Sequence, residues 1–132
     1  MIRRMFRLAC LAPLLVALAL PACRNRARPA AEQLAGGDAD RGAVALRQYA
    51  CSTCHVIPGI VGADALVGPP LNGIGSRKYL AGVLQNTPEN MVHWIRYPQE
   101  AAPLSAMPDL GVTERDARDM VAYLYQLTTP SR

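Results

Sequence analysis

Cys51-Ser52-Thr53-Cys54-His55 is the segment that leaves this chain the fewest options. Two thiols three residues apart, with a histidine directly behind the second, form the attachment signature of a c-type haem. The spacing follows from the chemistry. A haem carries vinyl groups on neighbouring edges, and two cysteines on one helical turn can each form a thioether with one of them. The next residue then lies under the iron, where an imidazole nitrogen takes an axial position. Other uses of Cys-x-x-Cys demand more than this sequence contains. A thioredoxin-like pair needs a βαβ setting. A structural zinc needs four ligands, and downstream of His55 the chain has His93 and no further cysteine. A disulfide across so short a ring would be strained and would close little loop.

The segment 1–22 reads as a signal peptide of the lipoprotein type. Arg3, Arg4 and Arg7 form a positive n-region, followed by an apolar run over residues 8–20 that contains Pro13. A membrane-spanning helix needs about 20 apolar residues, so the shorter run suits a signal sequence. Export agrees with the haem motif, because c-type haem is attached on the outer side of the energised membrane. Leu20-Pro21-Ala22-Cys23 resembles a bacterial lipobox, in which the cysteine is lipidated and becomes the mature N-terminus. Pro21 departs from the usual residues there, and ordinary cleavage nearby is the alternative. Residues 23–35, rich in Arg, Ala and Pro without apolar period, read as a disordered, lipid-anchored tether. From Cys23 to Gly37 its coil span is about 20 Å and its stretched limit about 46 Å. The expected location is the periplasm or the outer side of the cytoplasmic membrane, held there through Cys23.

The formal charge of +4 misleads. Residues 1–35 hold six arginines and one glutamate, a balance of +5, whereas residues 36–132 hold eight basic and nine acidic side chains, a balance of −1. The basic character belongs to leader and tether. With no RNA- or DNA-binding motif present, no nucleic-acid partner is expected.

Residues 36–132 are expected to form one domain whose aromatics are Trp94 and five tyrosines. A chain of this size is marginal unaided. A haem wedged between short helices would supply the missing apolar bulk, so the haem-free form is expected to be largely unfolded. Asp38 is placed to cap a helix running through Arg41, Ala45, Leu46 and Tyr49. Residues 56–71, with Pro58, Pro69, Pro70 and several glycines, read as loop. Thr87-Pro88-Glu89 opens a short helix with Met91, Val92, Trp94 and Ile95, stopped by Pro98. Thr113 and Asp116 form a capping-box-like start to a last helix, with Ala117, Met120, Val121, Leu124 and Leu127 on one face. No strand signal competes, so the class is all-α.

A second axial ligand is sought among the methionines. Two of the five lie in the leader. Met120 falls on the core stripe of the last helix and Met91 near the start of the preceding one, both packing positions. Met107 lies instead in Ser105-Ala106-Met107-Pro108, where Pro108 keeps it out of helical geometry and lets its side chain project inward. Met107 is the expected sixth ligand. His93, two residues before Ile95, is the alternative and is expected to face solvent. With both axial positions filled the iron has no open site, and histidine–methionine ligation raises its potential. The expectation is a one-electron carrier, not an enzyme. A five-coordinate gas-binding protein is the rival if Met107 is only a loop residue. A dihaem peroxidase would need two attachment motifs, and the chain has one.

Taken together, the chain resembles a class I cytochrome c from Gly37 to Leu127. It is most similar to the cytochrome c domain fused to subunit II of caa3-type cytochrome oxidases. The resemblance is carried by Tyr49-Ala50-Cys51 through His55, Gly68-Pro69-Pro70-Leu71-Asn72-Gly73-Ile74, Asn86-Thr87-Pro88-Glu89-Asn90-Met91-Val92-His93-Trp94-Ile95, Pro98-Gln99, Met107-Pro108 and Val121-Ala122-Tyr123-Leu124. The copper-binding and transmembrane parts of an oxidase subunit have no counterpart in this sequence. The resemblance implies three to five short helices wrapped around one haem c, held by Cys51 and Cys54 with His55 and Met107 on the iron. It implies that the Pro69 carbonyl takes the other nitrogen of His55. It also implies that Arg77 lies near a haem propionate, unless it is merely a solvated loop residue. Trp94 would border the methionine-side pocket, and Gly42 and Tyr123 would meet where the first and last helices cross. Asn86 could assist the pocket. A quinol-oxidising complex is implied as donor and a terminal oxidase as acceptor, or else a fixed place as haem subunit of a larger respiratory complex. Lys78 is the domain's lone lysine, so no lysine ring steers docking, and the apolar loop over residues 56–61 is a candidate contact.

Overall fold

The computed structural model describes residues 29–128. The expected signal peptide, Cys23 and the first part of the expected tether lie outside the described residues. In chain order the helices are α1 (Ala30–Ala35), α2 (Ala39–Gln48), α3 (Pro88–Arg96), α4 (Pro98–Ala101) and α5 (Glu114–Leu124). Single 3₁₀ turns occupy Cys51–Thr53 and Ile74–Ser76, and the strands β1 (Tyr79–Leu80) and β2 (Leu84–Gln85) pair antiparallel. Among the described residues no helix is long and apolar enough to cross a membrane.

Each of the three longer helices starts where its sequence says it should. The Asp38 side chain accepts the Arg41 N–H and begins α2. Thr87 accepts the Asn90 N–H ahead of α3, with Pro88 in the first turn where its missing N–H costs nothing. Thr113 accepts the Asp116 N–H at 3.2 Å and donates its own hydroxyl to the Asp116 carboxylate at 2.8 Å, opening α5. The apolar face of α5 (Ala117, Met120, Val121, Leu124) is buried, and Leu46, Ile57 and Met91 close over it. Met91 and Met120 therefore pack in the core, as their positions on apolar faces require.

The frame is set where α2 crosses α5. A Cβ on Gly42 would stand 2.0 Å from the Asp119 carbonyl oxygen, so only glycine lets the two backbones meet. Asp119 is itself buried and takes three donors from the start of α2: Arg41 Nε at 2.7 Å, Arg41 Nη2 at 2.8 Å and the Asp38 N–H at 2.7 Å. Burial pushes the Asp119 carboxyl up, but these hydrogen bonds and the Arg41 and Arg115 charges outweigh it and hold the group below its ordinary value. The Tyr123 hydroxyl donates to the Pro58 carbonyl at 2.6 Å and fastens the loop after the haem motif to α5.

Four expectations change. The stretch read as tether through Ala35 becomes α1 from Ala30, because Ala35 buries itself in the core and the left-handed Gly36 ends the turn. The β1–β2 hairpin carries no sequence signal because two-residue strands are too short to show alternation, and positive φ at Ala81 and Gly82 makes its bend. Helix α5 stops at Leu124, and Leu127 packs from a following turn closed by its own N–H to the Leu124 carbonyl. In the loop over residues 56–61, Ile57 and Ile60 point into the core and leave Val61 exposed, so the loop is mainly an anchor.

Two outcomes follow for the haem-loaded protein. Gly42→Ala is expected to lose about 3 kcal/mol or more by overpacking an interface that cannot separate without breaking the Asp119 contacts, measured as a shift in the denaturant midpoint. The folded Asp119 carboxyl ionises below its ordinary 3.8. Its stabilisation is therefore complete above that pH and is lost as the pH falls through the depressed folded value. The stability gap between wild type and Asp119→Asn should be constant at neutral pH and shrink in acid; a gap that widened there would contradict the sign.

Candidate haem site

The site begins where α2 runs out. Ala50 adopts a left-handed conformation (φ 55°) and reverses the chain directly before Cys51. The following turn is closed by Thr53 N–H to Ala50 O at 3.0 Å, Cys54 N–H to Cys51 O at 3.3 Å and His55 N–H to Cys51 O at 3.1 Å. In a 3₁₀ turn residues i and i+3 eclipse, which sets the two free thiols on one side. Burial pushes the Cys51 thiol up, and a negative Cys54 would add to this, against an opposing backbone hydrogen bond. A redox-active Cys-x-x-Cys needs the reverse, a depressed thiol.

His55 is fixed by what it touches. Its Nδ1 lies 2.7 Å from the Pro69 carbonyl oxygen. That oxygen only accepts, so the ring proton sits on Nδ1 and the Nε2 lone pair is left over. The neighbouring loop is laced to the motif, with Gly68 N–H to Cys54 O at 2.7 Å and Leu71 N–H to Val56 O at 2.9 Å. A Cβ on Gly68 would stand 2.5 Å from His55 Cε1 and 2.8 Å from Nδ1, so glycine is what lets the imidazole come this close to the loop. Two thiols on one side of a turn, an imidazole with one nitrogen engaged, and a glycine cradle are the donor set and the space that a covalently attached haem requires.

Met107 sits, half-buried, on irregular backbone. Its N–H is taken by Ser105 Oγ at 3.1 Å and its carbonyl by the Gln99 side-chain amide, so both backbone groups are pinned. Trp94 is half-buried and packs against the core from α3.

The family model of cytochrome c matches residues 39–128. The chain belongs to the cytochrome c family. With the family come a covalently bound haem c and the work of an electron-carrying haem protein. The cytochrome is 33% identical over 90 residues to cytochrome c oxidase subunit 2 of Alkalihalophilus pseudofirmus, a match that takes in 67% of this chain and 25% of that protein. It thus spans about a quarter of that relative's length. Its fold is similar to the crystal structure of cytochrome c2 from Rhodobacter sphaeroides, with a TM-score of 0.51, 26% identity, and coverage of 72% of this chain and 99% of the other.

The remaining residues singled out in the cytochrome's sequence are placed as follows. Arg77 is exposed, and its Nη2 donates to the carbonyls of Pro70 and Asn72. His93 stands on the outer face of α3, its side chain 43% exposed and 3.9 Å from Glu100. Asn86 is far more engaged than its sequence position suggests, with Nδ2 donating to Ile74 O at 2.9 Å and Arg77 O at 2.8 Å and Oδ1 accepting the Tyr125 hydroxyl at 3.0 Å. Burial, reinforced by the Glu89 charge, pushes that phenol above its ordinary range and keeps it a donor. Gly68 was legible only as part of a Gly-Pro-Pro loop, whereas its contact with His55 depends on how that loop returns. Gly68→Ala is expected to drive a methyl group into the imidazole and cost the haem-loaded protein about 1–3 kcal/mol. Denaturant unfolding followed in the haem absorbance checks it.

Proposed function

We propose that this cytochrome is a one-electron carrier with His55 and Met107 as axial ligands, receiving electrons from a quinol-oxidising complex and delivering them to a terminal oxidase. We place it on the periplasmic, outer side of the cytoplasmic membrane, anchored through lipidated Cys23. The observation that carries the reading is the 2.7 Å contact between His55 Nδ1 and the Pro69 carbonyl directly behind the two thiols. It commits one ring nitrogen to the protein and leaves the other as a ligand.

Bound through Cys51 and Cys54, haem supplies an iron centre that gains and loses a single electron. His55 would hold the iron from one side, its ring orientation set by Pro69 as in hydrogen-bonded ligand histidines. Met107 would hold it from the other, on a loop whose backbone is tied to Ser105 and Gln99. With both ligands in place, oxygen and peroxide would have nowhere to bind, which favours electron carriage over catalysis or gas sensing. Trp94 borders the methionine side, and Arg77 keeps a cation available for a propionate. The likeness to part of an oxidase subunit favours a respiratory partner. The same likeness favours one second reading, a fixed haem subunit of a larger respiratory assembly with identical chemistry and no shuttling.

Oxidised and reduced visible spectra, recorded with and without carbon monoxide, test the ligand set. The ferric wild type should show the weak far-red sulfur-to-iron band, and the ferrous form should resist carbon monoxide. Met107→Ala should lose the band and bind the gas promptly. Prompt binding by the wild type would instead indicate five-coordinate iron. With Lys78 the one lysine of the chain, electron transfer to an isolated oxidase should change by less than about twofold between 50 and 200 mM salt. Stopped-flow rates decide this, and a steep fall would point to a charged docking face.

A further inference from the structure

The carbonyl that receives the His55 ring proton belongs to Gly68-Pro69-Pro70-Leu71-Asn72, and two adjacent prolines leave this segment short of backbone donors with which to hold itself. It is held from outside. Arg77 Nη2 reaches the carbonyls of Pro70 at 2.5 Å and Asn72 at 3.1 Å, the first of them directly next to Pro69. Arg77 in turn closes the Ile74–Ser76 turn, whose position is set by the side chain of Asn86. That amide donates to the carbonyls on both sides of the turn, Ile74 at 2.9 Å and Arg77 at 2.8 Å. Its oxygen accepts the Tyr125 hydroxyl at 3.0 Å, and the Gly75 N–H reaches the Leu127 carbonyl at 3.0 Å. Hydrogen bonds therefore link the end of α5 to the Pro70 and Asn72 carbonyls, the first of them one peptide beyond the acceptor of the imidazole. Asn86 has its donor and its acceptor satisfied by separate segments, the kind of polar network that specifies one arrangement over its neighbours.

We infer that Asn86 is a positioning residue for the axial imidazole, backed by Tyr125 and acting through Arg77 to fix the Pro69 carbonyl against His55 Nδ1. This rests on the reading of His55 as an iron ligand. It gives Arg77 a second task beside charge. A propionate partner acts through its positive charge, which lysine keeps; a clamp on two carbonyls acts through the planar guanidinium, which lysine lacks. Asn86 and Tyr125 carry no charge, so replacing them disturbs the clamp and leaves the electrostatics of the site as they were.

The test is solvent exchange of the His55 Nδ1 proton, followed by NMR in the ferrous, haem-loaded protein. Asn86→Ala, Tyr125→Phe and Arg77→Lys should each speed this exchange by about fivefold to tenfold, the loss of one hydrogen bond's worth of protection. The Leu46 and Val121 amides, in the α2–α5 core, should exchange as in the wild type. Unchanged ring-proton exchange in Asn86→Ala and Tyr125→Phe overturns the inference, and so does equal acceleration of the core amides, which would mean general loosening. Tyr125→Phe removes a single hydroxyl and keeps the test open should Asn86→Ala not fold. A wild-type His55 lacking the ring-current shifts of an iron-bound imidazole would instead sink the ligand assignment, a failure visible before any variant is made.

Discussion

At the crossing of α2 and α5, Gly42 lets the Asp119 backbone come closer than any side chain would allow, and Asp119 turns that closeness into three hydrogen bonds with Arg41 and the Asp38 amide. Both halves are needed. The glycine without the carboxylate would leave two smooth backbones free to slide. The carboxylate without the glycine would be buried too far from its partners. A buried charge that keeps three donors fixes geometry more than it adds stability, since its desolvation offsets much of the attraction. The crossing therefore sets the direction in which α2 delivers the chain to Cys51.

From there the site is assembled by short-range devices rather than by a deep core. Ala50 reverses the chain, a 3₁₀ turn sets the thiols side by side, and the loop over residues 68–71 is drawn onto the motif by two backbone hydrogen bonds. α5 supports both ends of this arrangement. Tyr123 holds the loop that follows the motif through Pro58, and Tyr125 holds the far turn through Asn86. One helix thus steadies the imidazole from two directions. On the outside, Leu66 and Val67 are about four-fifths exposed beside Gly68, and the acidic and basic side chains near α5 largely pair with each other.

Much of this was legible in the residues because it is local. Asp38, Thr87 with Pro88, and Thr113 each announce a helix start by a rule that needs only three or four neighbours, and each cap forms. The same holds for the apolar stripe of α5 and the Cys-x-x-Cys-His turn. What stayed hidden depends on partners far along the chain. Asp119 looks like a surface residue of a polar helix face until Arg41 and Asp38 arrive from 78 and 81 positions away. Asn86 looks like a residue before a cap until Tyr125 reaches it. Ala35 looks like part of an unstructured lead, because a six-residue helix without a side-chain cap has no signal of its own and exists by packing on α5. Ala50 gives no warning of its positive φ, since alanine is a poor choice there and is tolerated only because the turn demands it.

The packing of α1 on α5 has a mechanical consequence. The chain enters the domain through α1, whose Ala35 is buried in the core. Arg118 on α5 reaches the Ala35 carbonyl, and Asp119 on the same helix takes the Asp38 N–H just beyond it. A pull on the residues ahead of Ala30 is therefore borne by this seam before it reaches α2, which insulates the approach to Cys51 from strain applied at that end.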